Sequence, residues 1–151
     1  MARLEEAIHQ KAFADERIKV DINIMFTASW LATIKARALK DMGISWQQFN
    51  ILRILKGAHP RPATVKYLAE RMIDQTSNAS RLVDKLVDKK MVTRTICPHD
   101  RRQVEINLTE KGMDDVATAS EVLESGLRAQ LNHLSVEEAM HLNQLLDKIR
   151  Q

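Results

Sequence analysis

Apolar residues recur every three or four positions along most of the chain, the spacing that lines one face of a helix. Leu4, Ala7, Ile8 and Ala12 mark a frayed helical arm over residues 1 to about 15. Ile18, Ile22, Phe26, Trp30 and Ile34 then run along one long amphipathic helix. Asp41-Met42-Gly43 closes it, because glycine supplies the left-handed conformation of a helix end. Ser45-x-x-Gln48 is a capping box for the next helix, with Phe49, Leu52, Ile54 and Leu55 inward, and residues 57–62 stop it in a stiff turn. Thr64 caps a helix over residues 65–72 with Val65, Leu68, Ala69 and Met72 toward the core. Packed across it is a helix over residues 75–90, apolar at Ala79, Leu82, Val83, Leu86 and Val87. After Lys90 the period changes to two: Val104, Ile106 and Leu108 alternate with Glu105 and Asn107, a half-buried strand joined to its predecessor by the turn Cys97-Pro98-His99-Asp100-Arg101-Arg102. Thr109 caps a further helix with Val116, Ala119, Leu123, Leu127 and Leu131 in its stripe. After a corner at residues 132–134, Ser135-x-x-Glu138 opens the last one, with Leu142, Leu145, Leu146 and Ile149.

The fold class that follows is mainly α with a small β-hairpin. Helix, hairpin and basic tip between residues 74 and 108 describe a winged helix-turn-helix lobe. The helix over residues 18–42 carries more apolar surface than one small lobe can bury, so part of it is expected to meet another subunit. Four Gly and three Pro agree with a helical chain of 151 residues, long enough to bury a core. One cysteine excludes an internal disulfide and makes a structural zinc site implausible, and the five histidines form no ligand pair on any helix, so no metal and no cofactor are expected. No Gly-x-Ser-x-Gly elbow or glycine-rich phosphate loop is present, which speaks against an enzyme. No apolar run reaches membrane-spanning length and the N-terminus lacks a signal-peptide core, so a cytoplasmic protein without membrane contact is expected.

Charge sharpens the picture. Residues 61–111 hold eleven cations against seven anions, a surplus of four in a chain of net charge +3, so the basic excess lies on the winged segment, where phosphate contacts would need it. At the start of the 75–90 helix, Gln75, Thr76, Ser77, Asn78 and Arg81 are hydrogen-bonding side chains suited to a helix tip in a major groove, with Lys85 one turn on. Asn78 and Arg81 are the leading candidates for base contacts, since Asn can pair with adenine and Arg with guanine through two hydrogen bonds. Thr76 or Ser77 can instead be the helix cap, and for Thr76 capping or a phosphate contact is favoured over base reading. Asp100 and Arg102, two apart on an extended wing, share a side, so the Asp can hold the Arg toward a minor groove; Arg101 points to a phosphate or to solvent. Cys97 is read as a structural thiol rather than a redox switch, and the seven Met as core more than as a ligand cleft.

The runs Leu-Val-Asp-Lys-Lys-Met-Val-Thr-Arg (residues 86–94) and His-Asp-Arg-Arg-Gln-Val-Glu-Ile-Asn-Leu-Thr-Glu-Lys-Gly (residues 99–112), with the entry Gly43-Ile44-Ser45-Trp46-Gln47-Gln48-Phe49-Asn50-Ile51-Leu52, resemble the signature of the MarR family of bacterial transcriptional regulators. The matching segment runs from about Gly43 to Gly112; the flanks match only as helices of suitable length. The resemblance implies a winged DNA-binding lobe over residues 43–108 and dimerisation helices from residues 1–42 and 109–151. It also implies a cleft between dimer helices and lobe for a small anionic or phenolic effector, with Trp30, Ile34, Arg37 and Phe49 as candidate lining. Asp100 and Arg102 match the family's wing-tip pair. Lys90 departs from the pattern, standing where the family usually has Gly, so it must turn left-handed or end the helix differently. The expected function is a homodimeric, sequence-specific DNA-binding regulator gripping a pseudo-palindromic operator, a repressor released by an effector; the alternative is a winged-helix protein–protein module without DNA binding.

Overall fold

The lobe is built round α3 (Trp46–Ala58) in the computed structural model, which describes residues 3–97 and 103–151. Its start obeys the local signal: Ser45 Oγ accepts from the Gln48 backbone N–H at 3.1 Å while the Gln48 side chain accepts from the Ser45 N–H at 3.0 Å. Gln48, Phe49, Asn50, Ile51, Leu52 and Leu55 are all buried. They can be, because α2 (Glu16–Ala38), α4 (Val65–Arg71), α5 (Ala79–Asp88), α6 (Glu110–Leu131) and β2 (Val104–Leu108) pack round them. Val83 and Leu86 of α5, Ile106 of β2 and Val116 and Ala119 of α6 complete the core. β1 (Val92–Ile96) pairs antiparallel with β2, Val92 opposite Leu108 and Ile96 opposite Val104. On the far edge of β2, Ala63 exchanges two backbone hydrogen bonds with Ile106, at 3.0 and 2.8 Å. Thr64 and Thr109 cap α4 and α6 as predicted, and Ser135 closes the second capping box, opening α7 (Val136–Ile149).

Three boundaries differ from the sequence expectation. The N-terminal arm is helical only as α1 (Leu4–Ala7); His9 then turns left-handed at φ 55°, and Asp15 caps α2 by accepting from Arg17 and Ile18 N–H, so Ala12 lies outside any helix. α2 stops at Ala38, and Gly43, at φ 64°, ends the turn after it rather than the helix itself. α5 begins at Ala79, not at residue 75, because an aspartate captures the residues in between, as described below.

Lys90 takes the left-handed option, at φ 59°. Its N–H donates to Val87 O at 2.8 Å and the Met91 N–H to Leu86 O at 3.0 Å, the paired bonds of a Schellman closure. A lysine there suffers a side-chain clash of about 1–2 kcal/mol that glycine avoids, less the greater chain entropy glycine loses on folding. Lys90→Gly should therefore stabilise the protein by about 0.5–1 kcal/mol, seen as a higher urea midpoint at unchanged slope. An unmoved midpoint would show that the left-handed turn costs nothing.

Candidate nucleic-acid interface

The face that could meet DNA starts from the link between α4 and α5. Asp74 dominates it. Its carboxylate accepts from the Thr76 backbone N–H (3.1 Å), the Thr76 hydroxyl (2.7 Å) and the Ser77 hydroxyl (2.7 Å). Those hydroxyl donors, with smaller help from the Thr76 N–H and the Gln47 side chain, hold its pKa down to about 2. A carboxylate gathering Thr76 and Ser77 this way favours a turn over a helix, which is why α5 starts late. Gln75 turns back, its amide donating to Met72 O at 2.7 Å.

Asn78, not Thr76 or Ser77, is the N-cap of α5: its Oδ1 accepts from the Arg81 N–H at 3.0 Å. This revises the weights given to these side chains. The amide oxygen of Asn78 is occupied by the helix, leaving only its NH2 to reach outward, and the Thr76 and Ser77 hydroxyls spend their protons on Asp74. Arg81 and Lys85 stand one turn apart on the exposed side of α5, opposite the buried Ala79, Val83 and Leu86, and neither makes an ion pair among the described residues. Asp84 is neutralised by Arg94 of β1, 2.6 Å away, an ion pair that ties the wing's first strand to α5. Asp100, Arg101 and Arg102 lie outside the described residues. Cys97 sits half-buried at the end of β1, its N–H donating to Gln103 O at 2.9 Å.

The four cleft candidates are spread over two helices. Trp30 and Ile34 are half-buried on α2 and Arg37 is exposed, whereas Phe49 is a core residue whose ring lies tilted against that of Trp46, centroids 5.7 Å apart. A different cluster, unforeseen from sequence, joins those helices: the Lys35 ammonium lies 4.0 Å above the Trp46 ring, and burial together with the Arg53 charge lowers its pKa. Neither Lys35 nor Arg53 has an acidic partner among the described residues. A pairing between residues on separate helices leaves no local mark in the sequence. Asp74-x-Thr-Ser, by contrast, is a local turn signal that the helix reading from residue 75 passed over. Among the described residues no cluster of His, Cys, Asp or Glu could hold a metal ion, and no helix is long and apolar enough to cross a membrane.

A supporting helix, a second helix with an open cationic face and a two-stranded hairpin tied to it make a winged helix-turn-helix. Residues 42–103 match the MarR family model. The fold of the chain matches an organohalide-sensing transcriptional regulator solved with 2,4-dichlorophenol (TM-score 0.83, 21% identity, 99% of this chain and 85% of that one). It also matches a MarR transcription factor from Planctomyces limnophilus (TM-score 0.69, 28% identity, 90% and 98%). A third match is a mutant MarR from E. coli complexed with operator DNA (TM-score 0.76, 21% identity, 98% and 99%).

Proposed function

We propose that this chain is a MarR-family regulator: a homodimeric, sequence-specific DNA-binding transcription regulator, a repressor released by a small anionic or phenolic effector. The observation that carries DNA binding is the exposed Arg81–Lys85 face of α5, without ion pairs among the described residues, beside a turn of hydrogen-bonding side chains. On this reading residues 43–108 form the DNA-binding lobe, with Gln75, Thr76, Ser77, Asn78, Arg81, Lys85, Asp100, Arg101 and Arg102 at the interface. Residues 1–42 and 109–151 form the dimer. The operator-bound E. coli relative supports the duplex as ligand. Relatives solved with 2,4-dichlorophenol, or regulated in DNA binding by 6-hydroxynicotinic acid, support an aromatic effector. Lys35 over the Trp46 ring, with the Arg53 charge acting on it and Phe49 against Trp46, offers cationic and aromatic groups suited to such a molecule, alongside the candidates Trp30, Ile34 and Arg37.

Selection of bound fragments from the organism's own genomic DNA gives the operator, and two substitutions then separate readout from grip. Arg81→Ala should cost about 1–3 kcal/mol on the operator and relax preference at one base position per half-site. Arg102→Ala should weaken operator and scrambled duplex alike and lower the salt slope by about one per site lost. Salt titrations of both variants on both duplexes make the measurement. Equal weakening of both duplexes by Arg81→Ala, with base preference intact, would mean that α5 does not read sequence. Binding to neither duplex by the parent, with no salt dependence, would favour the protein–protein module instead.

A further inference from the structure

Asn50 is an unexpected residue for its place. It sits in the middle of α3, 1% exposed, between the buried Phe49 and Ile51. Asparagine is a poor helix-interior residue and a poor core residue, and a buried amide is tolerated only as far as its hydrogen bonds are met. Here one is met. Asn50 Oδ1 accepts from the Ile73 backbone N–H at 2.9 Å, and Nδ2 has no partner among the described residues. An unpartnered buried donor is a standing cost that an apolar side chain would not carry. What asparagine contributes at this position is therefore its acceptor oxygen, delivered from the core to the first residue of the link between α4 and α5.

That link is where α5 gets its direction. Ile73 is followed by Asp74, whose carboxylate binds Thr76 and Ser77, and then by Asn78, which caps α5. Gln47 lies one turn before Asn50 on the same side of α3, and its side chain is the smallest of the influences that lower the Asp74 pKa. Among the described residues the link is thus braced inward by α3 through the Asn50–Ile73 bond, while its other hydrogen bonds are local to itself. We infer that Asn50 is a positioning residue for sequence readout: from inside α3 it fixes the turn that aims the N-terminal tip of α5. The inference rests on the DNA-binding reading above. Two-point hydrogen bonds to base edges tolerate little displacement, whereas attraction between cations and phosphates tolerates much more. Loss of the brace should therefore reduce discrimination and leave general affinity for DNA in place.

The test uses the full-length protein, a duplex pool with a randomised core, and the variants Asn50→Leu and Asn50→Ala, which remove the acceptor while filling or emptying its space. In the parent, exchange of the Ile73 amide hydrogen should be slowed well below the free-amide rate, and in both variants it should speed up roughly tenfold or more. Both variants should bind random duplex and respond to salt as the parent does, while their preference for the parent's selected sequence falls roughly tenfold. Retention of the parental preference by either variant overturns the inference, as does loss confined to one of them, which would trace the effect to packing. An Ile73 amide exchanging freely in the parent overturns it without any variant. A parent that enriches no sequence from the pool, with Ile73 still protected, removes the DNA-binding reading itself and the inference with it.

Discussion

Gly112→Ala should cost roughly 3 kcal/mol or more of folding stability, lowering the thermal midpoint by about 10 °C in a chain of this size. The reason is local and geometric. Thr109 caps α6 by accepting the Gly112 N–H at 2.9 Å, its hydroxyl donates to Lys90 O at 2.8 Å, and its own N–H donates to Met91 O at 3.1 Å. These bonds draw the first turn of α6 onto the chain leaving α5, so a Cβ on Gly112 would stand 1.9 Å from the Met91 carbonyl oxygen. Backbone cannot swing aside as a side chain can, so either α6 lifts off or the strand entry shifts. Gly126, in the same helix with nothing within 4 Å of its would-be Cβ, is the control. Gly126→Ala should be neutral or stabilising by up to about 1 kcal/mol through helix propensity alone. Equal midpoints for the two alanine variants would show that α6 does not pack this closely on Met91.

The contrast between those two glycines shows what a sequence discloses. Signals confined to four or five residues were legible: the caps at Ser45, Thr64, Thr109 and Ser135 stand where expected, because capping is a contact between near neighbours. The choice facing Lys90 was legible as well, and the bonds to Val87 and Leu86 settle it as left-handed. The start of α5 was misplaced by four residues, since apolar spacing cannot register a carboxylate competing for the same N–H and hydroxyl groups. Contacts that join distant segments were invisible: Asn50 to Ile73, Lys35 to Trp46 and Arg94 to Asp84 each need the fold before they exist. The resemblance rests on the runs around residues 43–52, 86–94 and 99–112, and it says nothing of what Asn50 touches inside the fold.

Met25→Glu combined with Met140→Glu should turn the proposed dimer into a monomer at concentrations where the parent stays paired. α2 and α7 contribute no buried residue within their own chain, and α7 stands almost clear of the other elements. Met25 is 67% exposed and Met140 58%, with Phe26, Val136 and Ile149 also open to solvent. Apolar surface spread along two whole helices is what a subunit interface covers. In a two-fold dimer each substitution appears twice, so the loss of one buried methionine side chain, about 1.5–3 kcal/mol, doubles before the burial of a carboxylate is added. The dissociation constant should rise by at least about a hundredfold, which is roughly 3 kcal/mol. Point substitutions are the better instrument here, because deleting residues 1–40 would also remove Leu39, which is fully buried in the lobe core. The two methionines lie outside that core, so the far-ultraviolet spectrum should be unchanged while sedimentation velocity reports the smaller species. Operator affinity should fall with the dimer, since the two lobes would no longer be linked and each would bind its half-site alone. A doubly substituted protein that still sediments as the parent does would move the interface away from α2 and α7.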